Sequence, residues 1–328
     1  MRRAILAEWL YEHGIGEDRA ILVEDGIIVE AAIELPGLRV GAIVPARLAA
    51  ILAPGRRGIA ALAEGMEALV EPLPPGLTEG AAFHAEILRE PIPEAGRPRR
   101  AKARATELPL RPGPGLAERI GNPPPLAPVG PDRFEGAGWT ELLEEAASGE
   151  IVFEGGALRM SVTPAMTLFD VDGTLAPAEL ARAGAAAAAR AIRRFGIAGS
   201  IGIDLPTMPS REDRLAAAAA VDALLPQPFE RTAVNGFGFL QIVRRRERPS
   251  IPELIRSDPA AATARALLRR AGRMTGPVTI HAAPKVLASI EAEPGWLALL
   301  ERQTGGAVAL QPEPGLAISA GHASGRPA

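Results

Sequence analysis

The chain predicts a multidomain α/β protein, with a small β-barrel inserted after N-terminal strands, then an α/β domain and a smaller C-terminal α/β domain. Three observations carry this. Apolar runs of strand length, spaced by Gly and Pro, fill the first third of the chain. From Phe153 onward strand-like and helix-like runs alternate, the pattern of a layered sheet. Between them, residues 106–135 are so rich in Pro and Gly that a linker or irregular loop is expected.

Taken in order, residues 1–37 read as paired strands. "RAILVEDGIIVEAAIEL" has two apolar runs around Asp25-Gly26, a strong hairpin signal. Residues 38–105 hold the runs "GAIVPARLAAILAPG", "GMEALVEPL" and "AAFHAEILREPI", spaced as in a small barrel. The barrel closes on a basic tract, "GRPRRAKARA", whose Arg97, Arg99, Arg100, Lys102 and Arg104 either track a phosphate backbone or form a solvated charge run.

Residues 136–250 open with a short helix, "GWTELLEEAASG", for which Thr140 is the expected N-cap. Three strand runs follow, turning at Gly155-Gly156, the third ending at Asp170. An Ala-rich helix runs from near Pro177 to Gly196, and a strand, "GSIGIDLPTM", ends on Asp204. A second helix and two more strands complete the layer, and both aspartates fall where open α/β sheets build their sites. Residues 251–318 predict a helix, a strand, a single helix over "PKVLASIEAEPGWLALLERQTG" and a strand; residues 319–328 read as a disordered tail.

Composition removes several chemistries. There is no cysteine, hence no disulfide, thiolate nucleophile or Cys-based zinc site, and the four histidines show no metal-ligand spacing. "GIAGSIG" at Gly196–Gly202 precedes a strand rather than a helix, so it is not a dinucleotide fingerprint. The net charge of -3 neither demands nor forbids a nucleic-acid partner. No uncharged apolar run reaches the roughly 18 residues of a membrane span. Glu8 and Glu12 interrupt the N-terminal apolar run, which argues against a signal peptide and leads to the expectation of a cytoplasmic protein without a membrane partner.

"TLFDVDGTLAP" resembles the signature of haloacid-dehalogenase-like phosphatases, in which the first Asp (here Asp170) attacks phosphate and the second (Asp172) protonates the leaving group. That family also needs a later Lys followed by an acidic pair. The only downstream lysine is Lys285, and no Asp follows it.

Several stretches in order resemble the ribonuclease E/G family instead: the opening hairpin, a barrel with "LAPG" and "EILREPIPEAGRPR", the segment from "FEGGALRMSVTPAMTLFDVDG" to "RRFGIAGSIGIDLPTM", and "NGFGFLQIVRRR". The resemblance implies an S1-like barrel of OB type that binds RNA, a magnesium-nuclease domain and a small C-terminal domain. It implies an endoribonuclease that cuts single-stranded RNA to 5′-phosphate and 3′-hydroxyl ends, with Asp170 and Asp204 as Mg²⁺ ligands. Magnesium suits this set because it takes few carboxylates, keeps waters and accepts substrate phosphate oxygens. Asp172 stands where the family has Asn and joins Asp170 and Asp204 as a catalytic candidate; a carboxylate there adds a charge and removes an amide donor, and either binds the ion directly or perturbs the geometry around it, so a relative that binds RNA without cutting it is an alternative. No aromatic residue lies between Tyr11 and Phe83, and Ile59 and Leu69 stand near the family's base-stacking positions. RNA binding is then expected to lean on the arginines of 97–104 and on Arg244, Arg245 and Arg246. The region before the catalytic hairpin is too short for the family's 5′-monophosphate sensor. The zinc-linking cysteines would fall at "RPSIP", Arg248–Pro252, so any homodimer is held without a zinc link.

Overall fold

The computed structural model describes residues 7–94 and 98–327. Strands β1 (Glu8–His13), β2 (Asp18–Glu24) and β3 (Ile27–Glu34) pair antiparallel in that order. Asp25 and Gly26 turn β2 into β3 with φ of 50° and 82°, the left-handed pair that a two-residue hairpin requires.

Five strands then close a barrel: β4 (Ile43–Ala53), β5 (Arg57–Ala61), β6 (Glu67–Val70), β7 (Ala82–Arg89) and β8 (Ala101–Thr106). The order around it is β4-β5-β6-β8-β7, and β6 with β8 is the parallel pair. Alternation explains β8, where Ala101 and Ala103 are buried while Lys102 and Arg104 face outward. Alanines at 60, 68, 85, 101 and 103 interleave inside with Leu48, Val70 and Ile87, so small and large side chains together fill a narrow barrel.

The segment expected to be a linker is irregular, with only two single-turn helices, α1 (Leu116–Arg119) and α2 (Arg133–Gly136), but it is not loose. Leu116 and Phe134 are buried, and bridges tie Arg111 to Ile43 and Pro125 to Tyr11. In α3 (Trp139–Ser148) the expected cap is displaced: the helix starts at Trp139, and the Thr140 hydroxyl donates instead to Glu135 at 2.7 Å.

The central layer contains β9 (Glu150–Phe153), β10 (Gly156–Val162), β11 (Thr167–Gly173), α4 (Pro177–Arg194), β12 (Gly199–Asp204), α5 (Arg211–Leu224), β13 (Glu230–Arg231) and β14 (Phe239–Arg244). Its six strands lie in the order β13-β14-β12-β11-β10-β9. Only β11 and β12 are parallel, as a crossover through α4 requires. Helix α4 packs on β10 and β11, and α5 packs on α4. The approach is close at Gly184, where a Cβ would sit 2.3 Å from Val171 Cγ1.

The chain ends with α6 (Ile251–Ser257), α7 (Pro259–Ala271), β15 (Met274–Ala282), α8 (Pro284–Glu291), α9 (Pro294–Thr304), β16 (Gly305–Pro312) and β17 (His322–Pro327). Two expectations are corrected. The single helix expected after β15 is two, because Pro294 lacks the N–H that an unbroken helix would use and opens α9 instead. The tail expected to be disordered forms β17, which pairs with β15 on the edge opposite β16.

The described residues fall into two compact units, each discontinuous in sequence. One draws on residues 7–36, 120–147 and 254–327; the other comprises residues 37–94, 98–119 and 148–253, the barrel and the six-stranded sheet. In the first unit Arg19 is buried against the rings of Phe134 and Trp139, 4.5 and 5.2 Å from their centroids, and donates to Glu12 at 2.5 Å. That stack fastens the connecting segment to the N-terminal strands. Among the described residues no helix is long and apolar enough to cross a membrane.

Candidate active site

The six-stranded sheet has one covered face and one open face. Along β11, Thr167, Phe169 and Val171 are buried, while Leu168, Asp170 and Asp172 alternate onto the other side. On β12, Ile201 and Ile203 are buried and Asp204 is exposed; on β10, Leu158 and Met160 are buried and Arg159 is exposed. Register joins these outward residues into one row: Arg159 opposes Asp170, Asp170 opposes Asp204, and Asp204 opposes Phe239.

Neighbouring strands lie about 4.8 Å apart, so the carboxylates of Asp170 and Asp204 stand side by side on one face. The strand expected to end at Asp170 continues to Gly173, but its pairing with β12 stops at the Asp170–Asp204 step. Both residues thus mark the carboxyl end of the parallel pair. Asp170 is half-buried and Asp204 exposed, and neither side chain has a hydrogen-bond or ion-pair partner among the described residues. Asp172, two positions along the same face, differs: Arg159 Nη1 lies 3.6 Å from its Oδ2.

The flank of the row is built by a turn. Gly202 leaves room for its neighbours, since a Cβ there would meet Phe239 Cζ at 2.6 Å and Leu168 Cδ1 at 3.0 Å. Asn235 Oδ1 accepts from the backbone N–H of Phe237 at 2.9 Å and of Phe239 at 3.0 Å, which fixes the turn that enters β14.

Among the described residues no group of three or more His, Asp or Glu side chains could hold a metal ion. The adjacent pair Asp170 and Asp204 fits a hard divalent cation that takes one or two carboxylates and fills its shell with water and phosphate oxygen. Sequence reasoning found these two residues but missed Arg159 and Phe239. The signal for Arg159 was the alternation of "GALRMSV", which sets it opposite the apolar Leu158 and Met160.

The basic candidates stand elsewhere, and Arg97 lies outside the described residues. Arg99 pairs with Glu94 at 2.8 Å and donates to the Pro164 carbonyl. Arg100 pairs with Glu67 at 2.5 Å, Lys102 with Glu71 at 2.9 Å and Arg104 with Glu86 at 2.7 Å. Hydrogen bonds from Lys102, then Arg57, pull the Glu71 carboxyl down to about 2. Arg244 donates to the Ile197 carbonyl, Arg245 pairs with Glu247, and Arg246 pairs with Glu253. Each described member of both arginine sets therefore has a partner within the chain. On the barrel, Ile59 and Leu69 are cross-strand partners, both half-buried, with Lys102 beside Leu69. At "RPSIP", Arg248 meets Glu90 at 3.3 Å, and the Ser250 N–H and hydroxyl donate to Glu253 at 2.7 and 2.8 Å.

Fold and site together define a chain with a closed five-stranded barrel and an α/β sheet whose open face carries two adjacent carboxylates. No protein-family model matches it, and no curated protein matches it.

Proposed function

We propose that the protein is a Mg²⁺-dependent endoribonuclease of the ribonuclease E/G type, cutting single-stranded RNA to 5′-phosphate and 3′-hydroxyl ends. The observation that carries this reading is the register pairing of Asp170 with Asp204 on an open sheet face, both lacking a cation partner among the described residues. Structural carboxylates are ordinarily spent on caps or ion pairs; two left adjacent repel each other, and a divalent cation relieves that repulsion. The barrel lends support: with its strands numbered one to five, the order is 1-2-3-5-4, which suits an OB-type nucleic-acid module.

In this reading Asp170 and Asp204 hold the ion. A bound Mg²⁺ would supply a water of lowered pKa and positive charge to offset that developing on the phosphate. Arg159, one strand from Asp170, exchanges its 3.6 Å contact with Asp172 for a non-bridging phosphate oxygen. Water would attack phosphorus in line, giving its hydroxyl to the phosphate and a proton to solvent, and the P–O3′ bond would break with the 3′ oxygen taking a proton from solvent, leaving the phosphate on the 5′ end of the downstream fragment. An open face admits the middle of a strand, which an internal cut requires. That exchange releases the carboxylate of Asp172, the third catalytic candidate, on the same face of β11 as Asp170.

The test is Mg²⁺-dependent cleavage of an internally labelled single-stranded RNA, with an EDTA control. Asp204→Asn is expected to lower the rate at least about 100-fold, the scale for losing one electrostatic stabiliser of the transition state. A wild type that binds RNA yet cuts none is the catalytically impaired relative. Hydrolysis of a phosphomonoester that needs Asp170 and Asp172 but not Asp204 restores the phosphatase alternative.

A further inference from the structure

Phe237 is 84% exposed, more than any other large hydrophobic side chain among the described residues. Every other described Phe, Trp or Tyr side chain is buried or half-buried. A single exposed apolar residue needs no explanation in itself. This one sits on a backbone held from three sides. Its N–H donates to Asn235 Oδ1 at 2.9 Å, its carbonyl accepts from Thr207 Oγ1 at 3.5 Å, and Gly238 behind it, at φ 94°, lies so close to the Leu205 carbonyl that a Cβ would stand 2.1 Å from that oxygen.

The same contacts locate it. Leu205 follows Asp204 directly, and Phe239, two residues beyond Phe237, is the register partner of Asp204. An exposed phenyl ring is therefore carried by a fixed turn that leads into the strand paired with the end of β12, where Asp204 lies. Meanwhile the barrel offers aliphatic Ile59 and Leu69 where a nucleic-acid barrel would stack bases.

We propose that Phe237 is a base-stacking platform that grips the nucleotide next to the scissile phosphate, an inference that rests on the RNA-cleaving reading of the Asp170–Asp204 face. Stacking on a π-face tolerates any base, so the platform would hold single-stranded RNA without sequence preference. A preorganised mount matters because a ring on a mobile loop would lose ordering entropy on binding.

The experiment compares Kd and cleavage for a single-stranded oligoribonucleotide and for the same sequence with abasic sites flanking the cut. Kd is measured in EDTA, and kcat and KM with Mg²⁺. Wild type is expected to bind the base-bearing strand about tenfold more tightly than the abasic one, the scale of one stacked base. Phe237→Ala is expected to erase that ratio by weakening the base-bearing strand alone, raising KM with kcat little changed. Phe237→Trp is expected to keep the ratio, which separates loss of stacking from loss of fold. If wild type cleaves but Phe237→Ala retains the ratio, or weakens both strands equally, the platform is wrong and the nuclease reading stands. If wild type neither binds nor cuts RNA, both fall.

Discussion

The open face of the six-stranded sheet and the outer face of the barrel use charge in opposite ways. On the barrel, Arg100, Lys102 and Arg104 are each matched to a glutamate one strand away, so positive charge is neutralised locally. On the sheet, Asp170 and Asp204 are register partners of like charge, and neither is in an ion pair among the described residues, the cross-strand Arg159 reaching Asp172 instead. The first arrangement is what a soluble surface tolerates at little cost, since exposed pairs are worth about 0 to 1 kcal/mol. The second leaves two carboxylates open to a cation, and the proposed nuclease reading rests on that.

The sharpest way to break this contrast is to remove one of the adjacent charges. Asp170→Asn should reduce Mg²⁺-dependent cleavage at least about 100-fold while leaving the thermal midpoint unchanged or raised, because a repulsion is relieved. Cleavage assays and calorimetry on one preparation check both halves. A fall in the midpoint would show the carboxylate to be structural.

A second test strips the counter-charges from the barrel. The triple variant Glu67→Gln, Glu71→Gln, Glu86→Gln releases Arg57, Arg100, Lys102 and Arg104. Fluorescence anisotropy with single-stranded RNA should then show tighter binding, and a salt dependence whose log–log slope steepens by up to about 3, at roughly 0.7 per phosphate contact. An unchanged slope would mean that RNA does not track this face.

The smallest effect concerns acid. Glu71 has its pKa lowered to about 2 by hydrogen bonds from Lys102 and Arg57. A depressed carboxyl contributes stability that is present above its unfolded pKa of about 4.3 and is lost as pH falls through about 2. Between pH 5 and pH 2 the midpoint of wild type should therefore drop more steeply than that of Glu71→Gln, followed by circular dichroism. Parallel curves would show the three charges to be uncoupled.

Much of the local structure was legible in the sequence. Asp25-Gly26 and the Gly155-Gly156 step made turns, Gly196 lies in the left-handed region just past α4, and the Ala-rich helix and the strand ending on Asp204 fall close to where periodicity put them. These are short-range consequences of backbone preference. Of the candidate site, Asp170 and Asp204 were visible as acidic residues near strand ends, whereas Arg159 and Phe239 were not. Their membership comes from cross-strand register, which depends on hydrogen bonding between segments tens of residues apart. The pairing of each barrel cation with its glutamate was hidden for the same reason. So was the strand at the C-terminus, where polar and small residues without alternation gain order only by joining β15.

The sequence by itself determined the α/β class, the turns, the absence of thiol chemistry and the placing of acidic residues at strand termini, because each follows from residue type and spacing within a few positions. Tertiary structure decided that the first strands join the last helices in one unit, that Asp170 stands opposite Asp204, and that the arginines are engaged while the two aspartates are not. Those outcomes depend on which distant segments pack together, and that is set by burying apolar faces across the whole chain rather than by any single stretch.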